Sequence, residues 1–360
     1  MLSVQEVHID DLLTQGYERR ATDVHLTVGL PPMVRIDGEL QATEYEALTP
    51  HDTQRLVYDI LTDAQIEQFE QGRELDFSYP VPRVARFRFN VYRQRGSVAA
   101  AARSIPTEIP DLQDLGLPPV LGDLTERASG FILVTGPTGS GKSTTLASMI
   151  NIINESRPVH IVTIENPIEY LHRHKKAMVN QREIGTDSQS FAGALRAALR
   201  EDPDIILVGE MRDLDTIENA LMAAETGHLV FATLHTRSAS QAVDRVVDVF
   251  PAQQQEQIRV LLANTLEAVI AQRLLARLGA PGRIPAVEVM IASSAVRNLV
   301  REAKTHLLPG VIETSAEMGM QTMDNALAEL FMSGQISRQD ALMHCADPET
   351  FERLVTGFTL

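Results

Sequence analysis

GPTGSGKS, residues 136–143, is the stretch of this sequence that decides its fold. It fits the pattern G-x-x-x-x-G-K-[ST], and it lies after a predicted strand and before a helix-forming segment, as that pattern requires. Glycines let backbone N–H groups curl around phosphate oxygens, and the N-terminus of the following helix adds the positive end of its dipole. We therefore expect a nucleotide-phosphate site formed by Gly136, Thr138, Gly139, Ser140, Gly141, Lys142, Ser143 and Thr144.

Two side chains of this stretch indicate the chemistry of the site. Lys142 can reach the outer phosphates of a nucleoside triphosphate, and the Ser143 hydroxyl can coordinate Mg²⁺. The alternative interpretation is a plain glycine-rich turn, for which this spacing would be a coincidence. The pattern favours a triphosphate site with Mg²⁺ as cofactor.

The segments around this stretch predict an α/β fold. Short apolar runs rich in Val and Ile occupy residues 131–135, 159–164, 205–208 and 229–234. Such runs are typical of strands that are buried on both faces in a parallel sheet. Helical patterns lie between them, and strands that alternate with helices favour a doubly wound domain. After this part we expect a long amphipathic helix from Ile258 that ends near Gly279, and a mostly helical remainder.

Two acidic residues follow strands of this predicted sheet. The run 159–164 leads into Glu165, and the run 204–209 leads into Glu210. Parallel sheets place their ligands at the carboxyl ends of strands, so both carboxylates are expected beside the phosphates. We assign Glu165 to the attacking water and Glu210 to Mg²⁺, with Glu169 in support. The alternative is that either glutamate only caps the next helix.

Histidines flank the last of these strands. His228 precedes the run 229–234 and His235 follows it. A separation of seven residues places the two side chains on opposite faces of a regular strand, which excludes a pair on one metal ion. We expect His235 to take part in catalysis and His228 to contact the nucleotide, the alternative being ordinary hydrogen-bonded histidines. His172 is expected in a solvated loop.

The first hundred residues read as a separate mixed α and β domain. Residues 85–92 alternate apolar and polar side chains, which leaves Arg86 and Arg88 on the open face of a strand. Asp37-Gly38 suits a tight hairpin turn. Four prolines between residues 106 and 119 indicate an irregular connector. We expect domains at 1–105 and 126–360, joined by a linker at 106–125.

Composition excludes several classes of function. The formal net charge is −16, which disfavours binding to nucleic acid and adsorption to anionic lipid. A single cysteine, Cys345, rules out an intramolecular disulfide and a multi-cysteine zinc site. The sequence has no apolar run near the ~18 residues of a membrane span, and its N-terminus lacks a signal-peptide pattern. A cytoplasmic protein without direct membrane insertion is expected.

Seven segments together resemble the hexameric secretion and pilus ATPases, and within them the type IV pilus retraction ATPases. They are residues 22–40, 85–92, 136–150, 163–172, 199–213, 226–236 and 293–302. The resemblance covers nearly the whole chain. It implies a PAS-like N-terminal domain, a RecA-like ATPase domain with a C-terminal helical region, ATP as substrate, and a homohexameric ring.

The resemblance also implies roles outside the phosphate site. Arginines of the N-terminal domain would approach the phosphates, at Arg88 and Arg103, the alternative being ordinary solvated arginines. The segment 293–302 resembles a motif associated with retraction, which supplies Arg297, Asn298, Leu299, Arg301 and Glu302 as a coupling surface. The implied partners are an inner-membrane pilus platform protein, beside which the ring would lie, and a paralogous retraction ATPase. One position departs from the family pattern, because Asn166 stands where an aspartate is usual.

Other functions remain open at this point. Extension and type II secretion ATPases commonly carry a four-cysteine zinc module and extra N-terminal domains, which a 360-residue chain with one cysteine does not match. A ring component that binds ATP without cycling would not need the complete set of Lys142, Ser143, Glu165 and Glu210. A nucleic-acid motor conflicts with the acidic net charge.

Overall fold

Two β-sheets organise the chain, one in each of two units. The computed structural model describes residues 2–36, 39–105 and 108–357. Unit 1 comprises Met1–Glu108 and unit 2 comprises Ile109–Leu360. None of the helices within the described ranges is both long enough and apolar enough to cross a membrane.

Unit 1 contains a six-stranded antiparallel sheet with the strand order β3-β2-β1-β6-β5-β4. Its helices are α1 (Ile9–Glu18), α2 (Pro50–Tyr58) and α3 (Asp63–Gly72), and its strands are β1 (Asp23–Leu26), β2 (Met33–Ile36), β3 (Glu39–Ala42), β4 (Glu74–Val81), β5 (Ala85–Gln94) and β6 (Ser97–Ile105). Thr49 and Thr62 form capping boxes that begin α2 and α3. The expected turn at Asp37-Gly38 lies outside the described residues.

The alternation predicted for residues 85–92 is confirmed in β5. Phe87 and Phe89 are completely buried, whereas Arg88 between them is exposed and Arg86 is half-buried. Apolar side chains on one face of the strand therefore build the core of unit 1, and the arginines stand on the other face.

Unit 2 contains a seven-stranded sheet with the order β13-β12-β7-β11-β10-β8-β9. Its strands are β7 (Gly130–Thr135), β8 (His160–Glu165), β9 (Met178–Glu183), β10 (Ile205–Val208), β11 (Leu229–Leu234), β12 (Leu266–Ala276) and β13 (Arg283–Ile291). All neighbours are parallel except β12 and β13. The predicted α/β fold is confirmed.

Helices connect and extend this sheet. They are α4 (Val120–Leu124), α5 (Lys142–Ser156), α6 (Phe191–Ala198), α7 (Leu214–Glu225), α8 (Ala239–Asp248), α9 (Ala252–Thr265), α10 (Ser294–Arg301), α11 (Leu308–Glu313), α12 (Met323–Met332), α13 (Arg338–His344) and α14 (Pro348–Thr356). Every residue of β7, β10 and β11 is buried. This burial on both faces is what their continuous apolar runs predict.

The long helix predicted from Ile258 to Gly279 is wrong. Helix α9 ends at Thr265, and β12 begins at the next residue. β12 pairs with β7 on one side and β13 on the other, and consecutive residues 268–272 are buried, so side chains on both of its faces are packed. A short apolar run of this kind cannot be assigned to helix or strand from periodicity alone.

The segment expected as a linker contributes to unit 2. Leu112, Leu117, Leu121 and Leu124 all pack in the large core cluster of that unit. Ser148 on α5 also donates a hydrogen bond of 2.6 Å to the carbonyl of Pro110. Pro106 and Thr107 lie outside the described residues, and the three-part domain division stays a prediction.

Candidate nucleotide site

The loop between β7 and α5 adopts a conformation that glycine permits. Gly136 has a φ of 149° and Gly141 a φ of 90°. A Cβ on Gly136 would lie 2.3 Å from the carbonyl oxygen of Gln272. Glycine at these positions therefore lets the loop pack against β12 with its backbone turned for phosphate contact.

Lys142 begins α5 and is nearly enclosed, with 9% of its surface exposed. Its Nζ donates to the carbonyl oxygens of Gly136 at 2.8 Å and Pro137 at 3.1 Å. Burial lowers the pKa of the Lys142 ammonium, and the carboxylates of Glu210 and Glu169 oppose that shift. The ammonium charge of Lys142 is thus held against the backbone of the preceding loop.

Glu165, at the end of β8, is the carboxylate with the most perturbed environment in the pocket. Burial raises its pKa to about 7, although hydrogen bonds from Thr163 and Gln181 favour the charged form. A carboxylate whose pKa lies near neutrality is suited to accept a proton from water.

Glu210, just after β10, has a different environment. Its Oε1 lies 2.8 Å from Nε2 of His235 and 2.5 Å from Nε of Arg212. Burial raises the pKa of Glu210, but the hydrogen bonds and charges of Arg212 and His235 outweigh it and lower that pKa below its ordinary value. Glu210 is therefore ionised in neutral solution, as a ligand for a cation must be.

These groups line one pocket of about 240 Å³ at the carboxyl edge of the sheet. Among its lining residues are Thr138, Gly139, Lys142, Ser143, Glu165, Glu169, Glu210 and His235. The predicted Gly136, Ser140, Gly141 and Thr144 belong to the same loop and the first turn of α5. The pocket therefore combines a phosphate-binding loop with two carboxylates. The pKa of Glu165 lies near neutrality, whereas Glu210 is held in its charged form.

Comparison with known proteins decides the family. The family model described as Type II/IV secretion system protein matches residues 4–340. The chain belongs to this family. It is 48% identical to the type IV pilus retraction ATPase PilT of Pseudomonas aeruginosa, over 95% of this chain and 99% of that protein. A twitching motility protein of Neisseria gonorrhoeae is 47% identical, over 89% of this chain and 85% of that protein.

A solved structure of the same family supports the fold. The crystal structure of the pilus retraction motor PilT with bound ADP superimposes with a TM-score of 0.90 and 52% identity. The superposition covers 97% of this chain and all of that one. The resemblance identified from the sequence motifs is therefore confirmed.

Some predicted residues of this family member lie away from the pocket. His228 precedes β11, where its Nδ1 lies 2.9 Å from the carbonyl oxygen of Ala223. The phosphate loop is at the opposite end of that sheet, so this chain does not bring His228 to its own phosphate loop. Arg88 and Arg103 belong to unit 1, and Nε of Arg103 donates to Asp23 at 2.8 Å.

Several residues that the sequence analysis missed support the site. Gln272, only 3% exposed, accepts a hydrogen bond of 2.8 Å from Thr145 in the first turn of α5. His172, expected in solvent, is a lining residue of the pocket, and burial lowers its pKa to about 4. Gln181 lies on β9, and Gln272 lies in the segment that was predicted as helix. No local sequence pattern indicated that either residue supports the site.

Thr135 links the phosphate loop to the segment that contains His235. Its hydroxyl lies 2.7 Å from that of Thr236 and accepts the Thr236 backbone N–H at 2.9 Å. Thr135 is completely buried at the end of β7, directly before the loop. A shift of the loop would therefore be transmitted to the residue next to His235.

The oxygen donors of the pocket fit Mg²⁺ that arrives with a nucleotide. No group of three His, Cys, Asp or Glu side chains suited to a metal occurs in the part of the chain that the structure describes. Mg²⁺ is usually held by one or two protein oxygens together with substrate phosphates. The Ser143 hydroxyl and the Glu210 carboxylate are the groups that would supply those protein oxygens.

Arg297 in the predicted coupling motif points inward, toward α9. Its guanidinium donates to the carbonyls of Ala263, Asn264 and Ala292 at 2.7–2.9 Å, and to Glu267 at 2.7 Å. Only 23% of the side chain is exposed. Arg297 thus caps the end of α9 and ties it to α10, whereas Asn298, Arg301 and Glu302 are exposed.

Arg297→Met is therefore expected to destabilise the protein. The substitution leaves three carbonyls and part of the Glu267 charge without their donor, at a cost of about 2 kcal/mol. For a unit of this size, a loss of that order lowers the Tm by about 4–8 °C. Thermal unfolding followed by circular dichroism measures the change. Arg301→Met, at an exposed position one turn further along the same helix, is the control. Equal melting of the two variants would contradict the capping role.

Proposed function

We propose that this chain is a Mg²⁺-dependent ATPase that acts as a homohexameric motor and powers type IV pilus retraction. One observation carries the proposal: a single pocket contains Lys142, Glu165 and Glu210 in a chain that is 48% identical to PilT over 95% of its length. ATP hydrolysis would be coupled to pilin disassembly and hence to twitching motility.

The residues of the pocket divide the work of hydrolysis. Backbone N–H groups of residues 136–143 and the Lys142 ammonium bind and orient the phosphates. Glu165 accepts the proton of the attacking water, because its pKa of about 7 lets it exchange protons near neutral pH. The Ser143 hydroxyl and the Glu210 carboxylate would hold Mg²⁺, which would supply charge stabilisation at the phosphates when bound. His235 holds Glu210 in place through the 2.8 Å hydrogen bond.

Roles for three further residues belong to the same proposal. Arg88 is exposed, and Arg103 is 70% exposed although it is ion-paired with Asp23. Guanidinium groups can bond two phosphate oxygens at once, which suits both arginines to a phosphoryl group. His228 lies at the end of the sheet opposite the phosphate loop, so a nucleotide contact by this histidine would need a different subunit of the ring.

The proposed partners are other components of the type IV pilus machinery. The ring would lie in the cytoplasm at the inner membrane and act on the platform protein of the pilus, with a paralogous retraction ATPase as a further partner. The exposed Asn298, Arg301 and Glu302, with Leu299 beside them, form the surface that we assign to coupling.

Purified protein and intact cells test this function together. The protein should release phosphate from ATP only with Mg²⁺, and a deletion strain should carry many pili that do not retract. Few or no pili in that strain would instead indicate an extension or secretion motor. A folded ring without steady-state phosphate release would indicate a regulator, and stimulation of turnover by DNA would indicate a nucleic-acid motor.

Arg301→Ala is expected to impair retraction while ATP turnover stays within about twofold of the unsubstituted protein. The side chain is exposed and contacts Asn264 at 2.9 Å, so its loss removes a surface charge without opening the core. Twitching zones on agar and phosphate release measure the two effects. A parallel loss of both activities would remove the assignment of this surface to coupling.

A further inference from the structure

Thr163 and Gln181 lie side by side on neighbouring parallel strands. Thr163 is on β8 and Gln181 on β9, and their Cα atoms are partners in the strand register. Thr163 is also two residues before Glu165 on the same strand, so the two side chains share a face of the sheet. The register therefore places two polar groups next to the carboxylate of Glu165.

Both side chains donate to the same oxygen of Glu165. The Thr163 hydroxyl lies 2.6 Å from Oε1, and Nε2 of Gln181 lies 3.1 Å from the same atom. Neither donor occupies Oε2. Two hydrogen bonds to one oxygen fix the orientation of the carboxylate group. That orientation determines the direction in which the second oxygen can accept a proton.

Gln181 is itself held by the chain that follows Glu165. Its Nε2 donates to the carbonyl of Tyr170 at 2.8 Å, and its Oε1 accepts the backbone N–H of His172 at 2.8 Å. Tyr170 in turn lies 3.0 Å, hydroxyl to hydroxyl, from Thr144 in the first turn of α5. The amide of Gln181 therefore connects the carboxylate to the wall of the pocket.

The electrostatic balance at Glu165 depends on these donors. Burial raises the pKa of Glu165, and the charge of Glu169 adds to the rise, whereas Thr163, Gln181 and the Glu169 backbone N–H lower it. The other titratable groups that line the pocket are Lys142, Tyr170, His172, Glu210, Arg212 and His235. Without the two side-chain donors, the carboxylate would hold its proton more tightly.

We propose that Thr163 and Gln181 are positioning residues for ATP hydrolysis: they hold Glu165 through Oε1 and present Oε2 to the attacking water. This inference rests on the proposed function, in which Glu165 accepts the proton of that water. It predicts that their loss changes the turnover step and its pH dependence, while the affinity for ATP is unchanged.

Thr163→Val tests the proposal, because valine keeps the shape of threonine and removes only the donor. Loss of one hydrogen bond to a charged group should raise the pKa of Glu165 by about one unit. Since the ionised carboxylate is the active form, single-turnover ATP cleavage should fall about fivefold at pH 7 and by less than twofold at pH 9. The KM for ATP should not change.

Two further variants make the experiment decisive. Thr163→Ser retains a hydroxyl and should restore the pH profile of the unsubstituted protein, whereas Gln181→Met should shift the profile in the same direction as Thr163→Val. Binding of a fluorescent ADP analogue and thermal melting establish that each variant is folded. If Thr163→Val does not fold, Gln181→Met carries the same pH readout.

The outcomes separate this inference from the function on which it rests. A Thr163→Val profile that coincides with that of the unsubstituted protein overturns the positioning role. So does a uniform loss at every pH together with a raised KM, because that pattern indicates only a damaged pocket. If Glu165→Gln is fully active, the assignment of Glu165 as base fails instead, whatever the Thr163 variants do.

Discussion

Lys142→Ala is expected to lower ATP turnover by at least about 100-fold. Lys142 is the first residue of α5, and its ammonium lies beside the loop that precedes the helix. There it can neutralise charge that develops on the outer phosphates. Removal of one such preorganised donor typically costs a factor of 10²–10³ in rate. Steady-state phosphate release in the presence of Mg²⁺ measures the effect.

A second lysine provides the matched control for this variant. Lys176 is exposed on the surface of the same unit, so Lys176→Ala should leave turnover unchanged. Melting temperatures of both variants exclude a general loss of structure, since Lys142 also donates to the carbonyls of Gly136 and Pro137. Turnover of Lys142→Ala above about half that of the unsubstituted protein would refute the assignment of the phosphate site.

The parts of the site that were predictable from the sequence are local in the chain. Gly136 to Ser143 form one continuous loop and helix start, so their spacing alone defines the geometry that they adopt. Glu165 and Glu210 each follow an apolar run, and a parallel sheet brings the ends of such runs to one edge. The prediction placed both carboxylates beside the loop without any knowledge of the strand order.

The parts that were not predictable depend on contacts between distant segments. Gln272 reaches Thr145 across 127 residues, and Gln181 reaches Glu165 from a strand that has no clear apolar pattern. The inward orientation of Arg297 depends on where α9 ends, and the apolar run after Thr265 gave that boundary wrongly as helix. Such positions are fixed by sheet pairing, for which a single sequence carries no local signal.

The different environments of Glu165 and Glu210 support the proposed division of roles between them, which the sequence only suggests. Glu210 is held ionised by Arg212 and His235, so protonation near neutral pH does not compete with its proposed contact to a cation. Glu165 has no arginine or lysine among its hydrogen-bond donors and titrates near pH 7. Two carboxylates whose pKa values are pushed apart are typical of a metal ligand and a general base in one site.

Glu165→Gln is expected to reduce ATP cleavage by about 10²–10⁴-fold while nucleotide binding is retained. Glutamine has the same shape, and its amide oxygen can still accept the hydrogen bonds of Thr163 and Gln181, so the side chain stays in place. What is lost is the ability to accept a proton. Single-turnover cleavage of ATP, with binding of a fluorescent ATP analogue in parallel, measures the two properties separately.

The control for this variant is Glu155→Gln, which alters an exposed carboxylate paired with Lys175 and should leave cleavage unchanged. Cleavage by Glu165→Gln within about tenfold of the unsubstituted protein would transfer the base role to another carboxylate of the pocket. If Glu210 were the base instead, Glu210→Gln should lose more of the cleavage rate than Glu165→Gln at every pH. Glu210 stays ionised across the neutral range, so the cleavage rate would then not fall as the pH is lowered through that range. The pH profile of the unsubstituted protein decides between the two assignments, since only Glu165 titrates near pH 7 in this pair.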